Sequence, residues 1–142
     1  MKVSYLHLPA GGEVPAVGPN EPFKAIVVAE QAVDQDWRAA VSRWLVSTGC
    51  LYMMAWGVEC ASWDDSVDWA CLHARDFADL ADYENLVMTT WHEQEALAEA
   101  FWFAGHCAHH PAVALNTTLI VHISSDERRE ELLRLYDEAQ RD

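Results

Sequence analysis

Residues 23–57, "FKAIVVAEQAVDQDWRAAVSRWLVSTGCLYMMAWG", decide the fold. "FKAIVVAE" is a short apolar run, the pattern of a strand covered on both faces. In "DQDWRAAVSRWLVSTG" the period changes to that of a helix. Asp34 suits an N-cap, Trp37, Val41, Trp44 and Leu45 share one face, and Gly49 falls just past the end. "CLYMMAWG" is a second buried strand. Strand, helix and buried strand in succession predict a parallel pair joined by a right-handed crossover.

The alternation continues along the chain. "SWDDSVDWACLHARDF" predicts a helix, with Ser62 and Asp65 as a capping box and Val67, Ala70, Cys71 and Ala74 as the apolar stripe. "NLVMTTW" is a third strand. "HEQEALAEAFWFAGHCAHHP" is a third helix, with Leu97, Phe101, Ala104 and Ala108 on one face and Pro111 as its stop. "TTLIVHIS" is a fourth strand, and "SSDERREELLRLYDEA" a fourth helix that Ser124 and Glu127 would cap. Before all of this, residues 1–22 are rich in Gly and Pro. They predict an irregular lead-in with a short edge strand at Lys2–Leu8. The expectation is therefore a single α/β domain over residues 23–142. It would be a small three-layer flavodoxin-like (Rossmann-like) fold of about four parallel strands and four helices, with strand order 2-1-3-4.

Composition narrows the function. The chain has 142 residues and a net charge of −14, and half of its residues are apolar. That is enough for one core. Between Glu59 and Glu99 stand eleven acids and one base, Arg75. Such a surface repels nucleic acid and anionic membrane and attracts a basic protein. No apolar run approaches the roughly 18 residues of a membrane span, and the N-terminus lacks a secretory h-region. Cys50, Cys60, Cys71 and Cys107 form no C-x-x-C pair and read as buried thiols of a reducing compartment. A cytoplasmic protein is expected.

In parallel sheets ligands sit beyond the carboxyl ends of the strands, where the strand order reverses. That rule selects Glu30, Gln31 and Asp34; Trp56, Glu59 and Cys60; Trp91, His92 and Glu93; and Ser124 and Ser125. No G-x-G-x-x-G, G-x-x-x-x-G-K-[ST] or G-x-S-x-G motif is present, so no cofactor is expected. His92 is the candidate acid or base, with Glu30, Asp64 or Asp65 as its carboxylate. Its plain alternative is a residue that covers the sheet's end. Cys60 with His92 would be a nucleophile pair, although Glu59, Asp64 and Asp65 disfavour the thiolate. His106 with His109 or His110 has metal-ligand spacing on a helix, and the same histidines also suit a helix C-terminus. His122 alternates with Leu119, Val121 and Ile123 and reads as a core histidine.

"WDDSVDW", residues 63–69, concentrates carboxylates and indoles. Asp64 and Asp65 in a helix's first turn are favourable without further function. Two such carboxylates could hold Mg²⁺ with Glu30 or Glu93 from other loops. As a surface, Glu59, Trp63, Asp64, Asp65, Asp68 and Trp69 would form an acidic face with aromatic anchors for a basic partner. "DDSVDWACL" resembles the acidic, tryptophan-bearing helix of the barstar family of ribonuclease inhibitors, and "TTLIVHIS" resembles that family's last strand. The resemblance implies that Asp65, Asp68 and Trp69 contact a basic nuclease. Separately, "GCLYMMAWG", "WDDSVD" and "MTTWH" are similar to a bacterial domain family of unknown function.

The resulting order places a non-enzymatic immunity- or inhibitor-like binding protein first. A small hydrolase or transferase of a nucleoside-like ligand comes second. A structural subunit, with tryptophans at a homodimer face, comes third.

Overall fold

A computed structural model describes residues 2–75 and 83–141. Five parallel strands form one sheet between two pairs of helices. The strands are β1 (Lys2–His7), β2 (Phe23–Ala29), β3 (Cys50–Gly57), β4 (Met88–His92) and β5 (Thr117–Ile123). The helices are α1 (Gln35–Ser47), α2 (Cys60–Ala74), α3 (Leu97–His106) and α4 (Arg129–Gln140). No helix among the described residues is long and apolar enough to cross a membrane.

The three-layer flavodoxin-like architecture is the expected one, but the strand order differs from 2-1-3-4. The order is β1-β5-β2-β3-β4. α1 and α2 pack side by side, and one apolar cluster joins residues of both helices to Phe23, Ala25, Val27, Met53 and Val121 of the sheet. Two right-handed crossovers on the same face therefore step β3 and then β4 away from β2 in one direction. α3 packs with α4, in a second cluster with Ile26, Val28, Met54 and Ile120. It carries the chain back across the other face to β5. The order thus reverses between β2 and β5, two neighbouring strands buried at every residue.

The lead-in supplies a full strand. β1 pairs with β5 from Lys2 opposite Thr117 to His7 opposite His122. Residues 8–22 then pass to β2 as an irregular strap, tied to α1 by Trp37 Nε1–H donating to Gly12 O at 2.8 Å.

α1 starts as its sequence predicts, with the Asp34 carboxylate accepting the Asp36 N–H at 3.1 Å. The other helix starts differ from prediction. α2 begins at Cys60, before Ser62, because Glu59 takes a left-handed conformation (φ 55°) and turns the chain directly out of β3. Gly57 makes that exit possible: its φ is +98°, and a Cβ there would lie 2.1 Å from Ala29 O. The predicted end of this helix, Asp76 and Phe77, lies outside the described residues. α3 begins at Leu97, and His92 is the last residue of β4. α4 begins at Arg129. Ser124 caps nothing and donates to Asp126 O at 2.7 Å.

Candidate functional site

Two clusters of chemistry-bearing residues emerge, and neither centres on His92. The first lies where the strand order reverses. Glu30 follows β2, His122 and Ser124 end β5, Tyr5 and His7 come from β1, and Arg128 leads into α4. His122 is fully buried. Its Nδ1 lies 2.6 Å from Tyr5 Oη and 3.3 Å from Ser124 Oγ, and its Nε2 meets Glu30. Tyr5 Oη also accepts the Arg128 N–H at 3.1 Å, so its own proton goes to His122 Nδ1. His122 is then the Nε2–H tautomer and donates to Glu30. The Arg128 guanidinium pairs with Glu30 from outside, and His7 donates from Nε2 to Ser124 O at 2.9 Å.

These contacts set the charges. Burial works against ionisation of Glu30. Hydrogen bonds from His122 and Arg128, together with the Arg128 charge, outweigh it and hold the carboxyl below its usual range. Burial raises the Tyr5 hydroxyl. The result is a satisfied Tyr–His–Glu–Arg chain with a half-exposed mouth at Glu30 and Arg128.

The second cluster lies on α2. The helix presents two neighbouring faces. One turns toward β4, the sheet's outer strand, where Thr89 Oγ1 donates to Asp68 Oδ1 at 2.7 Å. Asp64, one turn earlier, shares this side and is buried at 5% exposure. The other face carries Asp65 and Trp69 and borders α1 in an open groove of about 650 Å³, which Arg38, Arg43 and His73 also line. Trp69 is 58% exposed. Trp91, two residues beyond Thr89 and therefore on the same side of β4, is 49% exposed. Burial, foremost, and repulsion among the aspartates raise the carboxyls of Asp64 and Asp68, while Thr89 pulls them down.

The predicted acidic face is thus divided. Glu59, Asp65, Asp68 and Trp69 reach the surface to differing degrees, and Asp64 is turned inward. Trp63 is not a surface anchor. It is fully buried and edge-on to Trp37, with ring centroids 6.3 Å apart, because it follows Cys60 by one turn on the core side.

His92 is not joined to Glu30 or Asp64. Its ring is buried on the α3 side of β4, edge-on to Phe103. Nδ1 meets Glu95 at 2.6 Å and Nε2 meets Thr90 at 3.0 Å. Trp56 braces the same turn by donating from Nε1 to Glu95 O at 2.8 Å. Glu30 stands two strands away, and Asp64 is on the opposite face. Cys60 is buried, and burial and Glu93 raise its thiol, which opposes a nucleophilic role.

The histidine metal set also comes apart. α3 ends at His106, so His109 and His110 are not on its face. His110 spends both ring nitrogens locally: Nε2 donates to Leu86 O at 2.7 Å, and Nδ1 accepts the N–H groups of Ala112 and Val113. Cys50, Cys60 and Cys71 are buried free thiols, and Cys107 is exposed.

Sequence reasoning placed Glu30 and Ser124 at the right end of the sheet but missed Tyr5, His7 and Arg128 as their partners. It also missed Thr89. The strand-end rule was the one signal that pointed there.

A family model described as Domain of unknown function (DUF7684) matches residues 3–139, and the chain belongs to that family. No curated protein and no solved structure matches the chain.

Proposed function

We propose that this DUF7684 domain is a non-enzymatic acidic binding protein that holds a basic protein partner, in the manner of an immunity or inhibitor protein. The observation that carries this reading is the pair of exposed tryptophans, Trp69 and Trp91, flanking the acids of α2. Large exposed indoles supply contact area at little entropic cost, and surrounding carboxylates steer a cationic partner and reject anionic ones. Among the described residues no strand pairs with the outer edge of the neighbouring strand β4, an edge of the kind that accepts a partner segment. The contact set is Glu59, Asp65, Asp68, Trp69 and Trp91. A basic nuclease fits this chemistry as one member of the class.

The test is capture from lysate at low and high salt, wild type beside Asp65→Asn/Asp68→Asn and Trp69→Ala/Trp91→Ala. The expected result is one basic protein held stoichiometrically by wild type and lost with salt and in both variants. Equal retention by the variants, or no such protein, overturns the reading.

A second reading, a small hydrolase or transferase, is favoured by the network at the strand reversal. There Glu30 meets His122 rather than His92. Turnover of a small ligand that Glu30→Gln abolishes without unfolding the protein would select it.

A further inference from the structure

The acids of α2 carry an electrostatic conflict that goes beyond the partner reading, although Asp65 and Asp68 belong to its contact set. Asp64, Asp65 and Asp68 each offer a carboxylate oxygen, and these oxygens all lie within 4.8 Å of one another. Like charges so placed repel, and part of the cluster is withdrawn from water. Asp64 is 95% buried, and its Oδ1 has no hydrogen-bond partner. A buried carboxylate oxygen without a donor costs about 1–3 kcal/mol or more. A cation at this point would supply the missing partner.

We propose that Asp64, Asp65 and Asp68, with the hydroxyl of Thr89 beside them, form a site for one oxygen-liganded divalent cation. Three features define its chemistry. The ligand atoms are all oxygens, which suit Ca²⁺ and Mg²⁺ rather than softer metals. Two ligands of one Ca²⁺, each at about 2.4 Å, stand at most about 4.8 Å apart, whereas two ligands of one Mg²⁺ stand at most about 4.2 Å apart. Oxygens within 4.8 Å of one another can close on one such ion through small side-chain rotations. Thr89 already donates its proton to Asp68 Oδ1, so its oxygen lone pairs face outward from that bond and are available to the ion or its water. Carboxylates raised by burial and mutual repulsion, as Asp64 and Asp68 are, gain most from such an ion. The ion would tie α2 to β4, which among the described residues pairs with β3 alone.

The test uses the whole protein, stripped with chelator, and the metal alone. CaCl₂ and MgCl₂ are titrated separately by calorimetry at neutral pH, and thermal unfolding is followed with and without each ion. The expected result is one saturable event with at least one of the two ions, with a matching rise in Tm. Asp64→Asn should weaken it at least about tenfold. Asp65→Asn, an exposed change that leaves packing untouched, should weaken it too. Heat that does not saturate by about 1 mM overturns the proposal. So does binding that both variants retain, since it would place the ion elsewhere on an acidic surface. The readout does not involve the protein partner, so failure here leaves the binding reading standing, and the reverse.

Discussion

Replacing Tyr5 by Phe removes one oxygen and keeps the ring, which makes it the cleanest probe of the network at the strand reversal. Tyr5 is 8% exposed, and its hydroxyl serves two groups that have few alternatives. It donates to His122 Nδ1 on a fully buried ring, and it accepts the N–H of Arg128, the residue that leads into α4. Loss of a buried acceptor's partner costs about 1–3 kcal/mol, and a lost hydrogen bond near the surface about 0.5–1.5 kcal/mol. The Arg128 N–H can be rehydrated, and Ser124 Oγ, 3.3 Å from Nδ1, can turn toward the ring in part. The expected net loss is about 2 kcal/mol, which for a domain of this size lowers Tm by about 6–8 °C. Urea unfolding should show a lower midpoint at unchanged m-value. Adding Ser124→Ala removes the substitute donor and should cost about 1 kcal/mol more, beyond its effect alone. A Tyr5→Phe protein within about 0.5 kcal/mol of wild type would refute the reasoning, since the hydroxyl would then not be what holds His122.

Trp63→Ala, which opens a cavity in the core, should cost about 3–5 kcal/mol, while Trp69→Ala should stay within about 0.5 kcal/mol; denaturant melts of the pair check this, and equal effects would contradict their placement. Gly57→Ala, which forces a methyl against Ala29 O at a positive φ, should cost about 3 kcal/mol or prevent folding, and a harmless substitution would show that the β3 exit is misplaced. A carboxyl with a raised pKa in the folded state adds stability that is complete below its unfolded pKa and is lost as pH rises through the folded value. Asp64 and Asp68 are both of this kind, so the stability of wild type relative to Asp64→Asn/Asp68→Asn, measured with chelator present, should fall as pH rises from about 4. A difference that is flat or rises with pH would count against it.

Strands β2 and β3 were legible because a run buried on both faces leaves little else to be. α1 was legible because cap, period and terminator agree. The helix starts that sequence misplaced share a cause. Ser62–Asp65 and Ser124–Glu127 both look like capping boxes, yet each start is set by a distant contact. The exit from β3 is held by Val58 N–H to Ala29 O at 2.8 Å, and the Arg128 N–H is taken by Tyr5. Strand order escaped for the same reason, since which face a crossover takes depends on helix-against-helix packing. The acidic face was visible in the string "WDDSVDW", but its division was not. Adjacent residues on a helix stand about 100° apart, so docking buries Asp64 and leaves Asp65 exposed, with their carboxylates still near each other. The His122 network, which joins residues 5, 30, 122 and 128, has no local signature at all.

The position of β5 has a consequence for biosynthesis. It stands between β1 and β2, yet it is translated after every other strand. A nascent chain that has emerged only as far as α3 carries β1 with no sheet partner and β2, apolar but for Lys24, with one bare edge. The sheet can close only when Thr117–Ile123 leaves the ribosome. Until then the two edges are templates for mispairing with other chains. Stalled or truncated products ending before Thr117 should therefore aggregate. Fusions that delay release of the C-terminus should lower soluble yield, while a tag ahead of Lys2 should be far better tolerated.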